Sequence, residues 1–361
     1  MMQKTMKAVR IREFGGPEVL RFDDYPMPEM GPGDVLVKVE ATSVSGFDIK
    51  YRLGLLHRGN VDATVALPGR KAFPMPMQLG RDCAGVVEAV GQSVTTFKPG
   101  DRVVGVTHPA NPNSIETIRG LGNLSSGVDI PGHSMFGAYA QYVARPENYW
   151  LPLSDRVSFD DAACVMWAAT TSHRAVTTRL AVKLGDAVLV TGATGGMGFA
   201  TLAIAKLAGA ITIATTRDAK KVAALKGSGA DHVVVTGSDD LRAVRDLTGG
   251  RGVDGAIDYT GNQALIRLCY EAMRLGGTLC LTYGGPTSLP ITGEDMNRSE
   301  LTIKAVRGGT PADQLAVWEL MNRGVLRIPI DRVFPLSEAA QAHAAQEAGN
   351  LVGRIVLHPW P

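Results

Sequence analysis

The feature that most constrains the fold of this chain is an apolar run that leads directly into a cluster of glycines, residues 188–198. Helix-forming residues follow at 199–207. Strand, tight turn and helix in this order form the context in which a glycine-rich turn binds the pyrophosphate of a dinucleotide, because backbone N–H groups at the helix N-terminus face the phosphates. Gly195 and Gly196 would let the backbone approach the phosphates, and Gly198 would let the helix pack closely on the strand. We therefore predict a dinucleotide-binding domain.

The two halves of the chain have different patterns. Short apolar strands separated by Gly and Pro before residue 107 predict a small β-barrel. The polar segment 107–135 has no periodicity and is predicted to be a long loop that covers a site or packs against another subunit. Later the chain alternates strands and helices, which predicts a doubly wound parallel sheet. The strands are expected at 187–191, 211–215, 232–236, 253–258, 278–282 and 301–306, and the helices at 197–208, 218–228, 238–247 and 262–274.

Composition argues against several classes of partner. The 37 Lys and Arg against 35 Asp and Glu leave a formal net charge of +2 with no basic tract, so we expect neither nucleic acid nor an anionic membrane as a partner. No apolar run approaches the roughly 20 residues of a membrane span, and the N-terminus lacks the apolar core of a signal peptide. The four cysteines have no C-x-x-C spacing, which indicates buried reduced thiols in a cytoplasmic protein. We expect a small-molecule substrate.

As a whole the arrangement resembles the medium-chain dehydrogenase/reductase superfamily. The resemblance implies an α/β architecture in which a GroES-like β-barrel catalytic domain carries an inserted Rossmann dinucleotide-binding domain, a doubly wound parallel sheet. It implies the first part of the catalytic domain at 1–156, the NAD(P)-binding domain at 157–313 and a return segment at 314–361. It also implies a homodimer. The matching segments cover nearly the whole chain: 79–87, 97–103, 137–143, 191–198, 275–279 and 353–357.

Other side chains occupy the positions that carry the catalytic zinc ligands in the zinc-dependent members of this family. Ser45 stands in place of a Cys, Arg81-Asp82 in place of a His-Glu pair, and Trp167 in place of the third ligand. Catalytic zinc needs three protein ligands, whereas serine is a poor ligand, arginine repels a cation and tryptophan offers no lone pair. Only Asp82 could coordinate. The segment 107–135 also lacks the four cysteines of a structural zinc site, so no metal is predicted.

Without zinc, the chain resembles the quinone oxidoreductase and enoyl reductase branch of the family. This implies hydride transfer from NADPH to the β carbon of a C=C bond conjugated to a carbonyl, in a quinone, an enone or an enoyl thioester. Members of that branch usually carry Asn where this chain has Ser45. Two alternatives stay open. One is a zinc-free alcohol or carbonyl oxidoreductase in which Ser45, Tyr51 or a histidine replaces the metal, and the other is a non-catalytic NADPH-binding protein.

The end of the second strand of the nucleotide domain distinguishes NADPH from NADH. NAD enzymes of this fold place an acid there to hold the ribose hydroxyls, but strand 211–215 ends in Thr216-Arg217. Arg217 and Lys221 would favour the 2′-phosphate of NADPH. Alternatively, these cations form a solvated helix face capped by Asp218, or Asp218 itself binds an NAD ribose. We favour NADPH as the cofactor.

The candidate catalytic residues are Ser45, Tyr51 and Thr171. Thr171 matches a family position close to the nicotinamide, although it could instead bond to its own helix backbone. Tyr51 could donate the proton that quenches an enolate, as a tyrosine does in related enoyl reductases, but those tyrosines align nearer Leu56, and Tyr51 could simply pack. Ser45 lies on the loop that would carry the first zinc ligand.

The predicted substrate pocket contains Asp48, Arg81 and Trp167. Asp48 either faces the nicotinamide or caps a helix, and Trp167 would form a wall of the pocket. Arg81 either pairs with Asp82 or binds a carboxylate or phosphate of the substrate. Other candidate acids are His57, His133 and His173. The predicted cofactor-binding residues are Thr191, Ala193, Thr194, Gly195, Gly196, Met197, Gly198, Thr216, Arg217 and Lys221, together with Gly261 and Tyr283, which follow the carboxyl ends of later strands.

Overall fold

A computed structural model describes residues 5–55, 75–282 and 288–361. The chain divides into two compact units, one made of residues up to Trp167 and from Thr310 onward, and the other of Ala168–Gly309. The second unit is shorter at both ends than the 157–313 expected from the sequence. At its start the reason is a helix, Phe159–Arg174, that runs through the boundary without any break in pattern.

The first unit contains most of the β structure. Its elements before the boundary are β1 (Thr5–Arg10), β2 (Arg21–Pro26), β3 (Asp34–Val44), α1 (Gly46–Arg52), β4 (Cys83–Val90), β5 (Arg102–Gly105), α2 (Ile115–Ile118), β6 (Tyr142–Pro146), β7 (Trp150–Pro152) and the first part of α3 (Phe159–Arg174).

The second unit begins with the end of α3 and a π-helical turn, Ala175–Leu180. It continues with β8 (Ala187–Thr191), α4 (Gly196–Leu207), β9 (Ile211–Thr216), α5 (Val222–Gly227), β10 (His232–Val235), α6 (Asp240–Asp246), β11 (Val253–Asp258), α7 (Gln263–Ala272), β12 (Met273–Leu281), α8 (Gly293–Ser299) and β13 (Thr302–Ala305). The chain then returns to the first unit with α9 (Pro311–Asn322), β14 (Ile330–Pro335), α10 (Ala339–Ala348) and β15 (Arg354–His358).

A seven-stranded sheet organises the first unit, with β1 and β2 as a separate antiparallel pair. Its order is β14-β15-β3-β4-β5-β7, and β6 also pairs with β3. The long β3 places alternate side chains, Val35, Val37 and Val39, in an apolar core, as the period of two along a strand requires. Because β15 pairs with β3, the end of the chain closes onto the first unit.

A six-stranded parallel sheet with the order β10-β9-β8-β11-β12-β13 organises the second unit. This confirms the predicted doubly wound parallel sheet. Leu189, Ile213 and Leu279 are fully buried in its core, as continuous apolar strands covered on both faces should be. The carboxyl ends of β8, β9 and β11 therefore lie along one edge of the sheet, where open α/β sheets bind ligands.

The segment 107–135 is more ordered than a simple loop. It contains α2, which Ser114 caps by accepting a hydrogen bond from the Thr117 N–H at 3.1 Å. Gln314 on α9 accepts hydrogen bonds from the backbone N–H groups of Thr107 and His108 and so fixes the start of the segment. No helix among the residues given a position is long and apolar enough to cross a membrane.

Candidate active site and cofactor-binding turn

The glycine turn has the geometry of an anion cradle. Gly195 is the N-cap of α4, which begins at Gly196, so the first N–H groups of the helix lie directly after the turn without helical partners. A Cβ on Gly198 would lie 2.5 Å from Ala193 O and 2.5 Å from Gly192 O. Gly198 thus lets α4 approach the turn itself rather than the strand. This turn fits a dinucleotide pyrophosphate, because it offers backbone donors and the positive end of the helix dipole.

Two predicted cofactor-binding side chains point into the protein. Thr191 is fully buried, and its hydroxyl donates to Asp258 Oδ1 at 2.5 Å. Ala193 is fully buried as well. A contact of either residue with the cofactor would therefore have to use its backbone, and the prediction that Thr191 and Ala193 bind the cofactor stays a prediction. Thr194, Gly195 and Met197 keep solvent exposure on the turn, whereas Gly196 is buried.

Polar residues after β11 support the turn, and the sequence analysis did not single them out. Asp258, at the end of β11, accepts hydrogen bonds from Thr260 N–H at 3.2 Å and Gly261 N–H at 2.8 Å. The predicted ligand Gly261 therefore uses its N–H internally. The Tyr259 hydroxyl forms hydrogen bonds with the hydroxyls of Thr201 and Ser172, the latter at 3.3 Å. Burial raises the pKa of Tyr259. An acid that ends a buried strand is the sequence signal that points to this support.

The end of β9 carries a short polar network. Thr216 Oγ1 accepts a hydrogen bond from Asp218 N–H at 3.2 Å, and the Asp218 carboxylate accepts one from Lys220 N–H at 2.9 Å. Asp218 thus caps the 3₁₀ turn 219–221, as one of the sequence alternatives proposed. Arg217 is exposed and has no ion pair with any residue whose position is described. Tyr283, the remaining predicted ligand, lies outside the described residues.

In the first unit, Ser45 and Asp48 form a capping box at the start of α1. Ser45 Oγ accepts a hydrogen bond from Asp48 N–H at 3.2 Å and donates one to Asp48 Oδ2 at 2.6 Å. Asp48 Oδ1 also accepts from Gly80 N–H at 3.0 Å, and burial raises the pKa of this carboxyl although the hydrogen bonds oppose the shift. The Asp48 carboxylate faces inward onto backbone donors, so Asp48 has the helix-capping role that was its alternative, and its place in a substrate pocket stays a prediction. In this capping box Ser45 is the N-cap of α1.

Arg81 is the central side chain of the barrel site. Its guanidinium lies over the Trp167 ring, 4.3 Å from the centroid. It donates to Tyr51 Oη and to the Thr107 carbonyl, both at 3.3 Å. The alternative in which Arg81 pairs with Asp82 is wrong, because Asp82 pairs instead with an arginine near the end of the chain.

That partner is Arg354, whose Nη2 donates to Asp82 Oδ2 at 2.8 Å. Asp82 Oδ1 accepts from the Trp167 N–H at 2.9 Å. Burial raises the pKa of Asp82 to about 6, and the charge of Arg354 opposes this shift. Both oxygens of the Asp82 carboxylate thus accept hydrogen bonds from the protein. The Ser45 hydroxyl caps α1, and Arg81 adds a positive charge. These residues do not fit a catalytic zinc ion.

Aromatic rings surround Arg81. The Phe47 and Trp167 ring centroids lie 5.1 Å apart, and the Tyr51 and His133 centroids lie 5.0 Å apart in an edge-on arrangement. Burial and the charge of Arg81 lower the pKa of His108 to about 3, so this imidazole is neutral. The arrangement provides flat apolar faces, one cation and a phenol hydroxyl. The sequence analysis missed His108.

The remaining candidates lie elsewhere. Thr171 is buried on α3 in the second unit, and the same helix carries His173 in its last turn. The roles proposed for Thr171 and His173 stay predictions. His57 and Leu56 lie outside the described residues.

Comparison with known proteins agrees with this architecture. Residues 31–155 match the alcohol dehydrogenase GroES-like domain, and residues 228–357 match the zinc-binding dehydrogenase model. The chain is 30% identical to an NAD-dependent alcohol dehydrogenase of Saccharolobus solfataricus over 98% of this chain and 100% of that protein. It is 28% identical to a quinone oxidoreductase of Pseudomonas aeruginosa over 98% of this chain and 99% of that protein.

A crystal structure of an NAD-dependent alcohol dehydrogenase shares 32% sequence identity and a TM-score of 0.90, covering 98% of this chain and 100% of that chain. Matches of this extent place both the barrel and the nucleotide-binding unit in one family. The chain is an oxidoreductase of the medium-chain dehydrogenase/reductase superfamily.

Proposed function

We propose that this protein is a zinc-independent, NADPH-dependent reductase that transfers a hydride to a C=C bond conjugated to a carbonyl, in a quinone, an enone or an enoyl thioester. The proposal rests on the side chains at the barrel site. Arg354 forms an ion pair with the Asp82 carboxylate, and the Arg81 guanidinium, a hydrogen-bond donor, lies over the Trp167 ring. Polarising a simple carbonyl or an alcohol calls for a metal or a strong acid. An enolate can instead be stabilised by hydrogen-bond donors.

The residues at the end of β9 support NADPH as the cofactor. An exposed Arg217 can pair with a 2′-phosphate, whereas Asp218, the acid that follows it in the sequence, caps the next turn. The relative from Saccharolobus is named as NAD-dependent, so NADH is the alternative to exclude. A comparison of kcat/KM for NADPH and NADH with one acceptor decides between them, and we expect the higher value with NADPH.

Tyr51 is proposed as the proton donor. The bound nicotinamide would supply the hydride that reaches the β carbon. Tyr51 Oη accepts a hydrogen bond from Arg81, so its own hydrogen points away from Arg81. The neighbouring guanidinium stabilises the tyrosinate that remains after the proton moves to the α carbon, and solvent then restores the phenol. Thr171 stays a proposed contact of the nicotinamide.

A zinc-free alcohol or carbonyl oxidoreductase is the second candidate, because relatives of this chain are named alcohol dehydrogenases. The decisive experiment follows NADPH absorbance with four acceptors: an enone, a quinone, a crotonyl thioester and an aldehyde. Turnover of a conjugated acceptor supports the proposal. Turnover of the aldehyde alone supports the second candidate, and tight NADPH binding without any turnover supports a non-catalytic binding protein. We also propose a homodimer, which light scattering would test as twice the mass of one chain.

A further inference from the structure

Arg81 is a buried cation that has no counter-ion among the residues that the structure describes. It is only 7% exposed, and its two acceptors, a phenol oxygen and a backbone carbonyl, are neutral. Its Nε is buried without a hydrogen-bond acceptor, and no carboxylate of the described residues lies within ion-pair distance of it. Burying a charge in this way is costly unless a partner of opposite charge is supplied.

The other buried arginines of the first unit provide a comparison. Arg354 pairs with Asp82 at 2.8 Å, and Arg52 pairs with Glu347 at 2.5 Å. Arg145 also lacks a carboxylate, but it is fully enclosed beside the barrel core and its Nη1 reaches Cys83 Sγ at 3.6 Å. Arg81 differs from Arg145 because it keeps 7% exposure, and because the half-buried rings of Phe47 and His133 pack against its two buried aromatic contacts. An external anion is therefore the natural partner for Arg81.

The surroundings of Arg81 define the shape of that anion. Trp167 covers one face of the guanidinium, and Phe47 packs against the same indole. His108 is neutral and brings no competing charge. Flat apolar faces beside one planar cation suit a planar conjugated molecule with a carboxylate, which a guanidinium can bind through two parallel hydrogen bonds. A phosphate dianion would call for more than one cation.

We propose that Arg81 binds a carboxylate of the substrate, so that the enzyme selects conjugated carbonyl compounds that are also acids. This inference rests on the proposed function, since it names the substrate class for the same site. It makes Arg81 a specificity determinant, because the neutral ester of such an acid would leave the guanidinium buried and unpaired.

The first test compares trans-4-oxo-2-pentenoate with its methyl ester as acceptors of hydride from NADPH. The two share the conjugated skeleton and differ in the negative charge and in one methyl group. We expect the wild-type kcat/KM to be about 10- to 100-fold higher for the acid, the range that hydrogen bonds to charged groups produce. Arg81→Met should abolish this ratio, Arg81→Lys should keep part of it, and the matched control Arg145→Met should keep all of it. Equal values for acid and ester in the wild type would overturn the inference, whatever the variants do.

The second test measures binding without turnover, which separates this inference from the proposed function. Calorimetry with NADP⁺ in place of NADPH follows the binding of 4-oxopentanoate and of its methyl ester. Acid-selective binding that Arg81→Met abolishes and Arg145→Met preserves would support the inference even if no conjugated acceptor is reduced. Turnover of enones without any acid-selective binding would leave the proposed function intact and refute the role of Arg81.

Discussion

The glycine turn of the second unit and the aromatic site of the first unit offer a ligand different kinds of groups. In the turn, the donors are backbone N–H groups, and the side chains of Thr191 and Asp258 face inward and support it from behind. In the barrel site, the groups that we propose for substrate binding and chemistry are the side chains of Arg81 and Tyr51, which are hydrogen-bonded to each other. Cofactor binding should therefore depend on an absent Cβ, and chemistry on single functional groups.

The largest effect is expected from Gly198→Val. The new side chain would meet backbone atoms of Gly192 and Ala193 at 2.5 Å, so α4 must move away from the turn. We expect a loss of about 3 kcal/mol or more in the free energy of unfolding and no measurable NADPH binding. Denaturant unfolding and calorimetry measure the two effects. The matched control is Gly227→Val on α5, where a Cβ meets nothing within 4 Å. Near-normal NADPH affinity of the Gly198 variant would contradict the backbone account of the turn.

Tyr51→Phe should have the next largest effect, and we expect it to change turnover rather than cofactor binding. The ring keeps its packing against His133, but the hydroxyl that Arg81 orients is lost. We expect kcat with an enone to fall about 100-fold or more, while the Kd for NADPH stays unchanged. Stopped-flow kinetics and fluorescence titration measure these quantities, and Tyr142→Phe on β6 is the control. Full activity of Tyr51→Phe would show that Tyr51 only packs and is not the proton donor.

Arg217→Leu tests whether side chains contribute to the cofactor site at all. If this guanidinium pairs with the 2′-phosphate, KM for NADPH should rise about tenfold, as expected for one charge-assisted hydrogen bond, with KM for NADH unaffected. Lys226→Leu, an exposed cation on α5, should change neither value. An equal change in KM for NADPH and NADH would show that Arg217 does not recognise the 2′-phosphate.

Ser45→Ala should give the smallest effect. The capping box predicts a loss of about 1 kcal/mol in the free energy of unfolding. Thr310→Ala removes an equivalent capping box on α9 in the same unit and should cost a similar amount. If Ser45 acts only as a cap, kcat/KM should stay close to the wild-type value in both variants. A fall of about 100-fold in kcat/KM for Ser45→Ala, but not for Thr310→Ala, would support the catalytic role that was predicted for Ser45.

Whether a feature could be predicted depends on how far apart in the sequence its interacting residues lie. The turn and the parallel sheet depend on local patterns, so the sequence located α4 to within a residue. The partner of Asp82 could not be predicted, because Arg354 lies 272 residues later in the chain. The Ser45–Asp48 box is local and predictable, but the match to a zinc-ligand position drew attention to catalysis instead. The short helix α2 was missed because four residues carry no periodicity.

The central claim is that this oxidoreductase works as a reductase without a metal. The most direct measurement follows NADPH oxidation with an enone before and after exhaustive chelation, with metal analysis of the same sample. We expect an unchanged rate in protein that contains far less than one zinc ion per chain. Loss of activity on chelation and its recovery with added zinc would contradict the account.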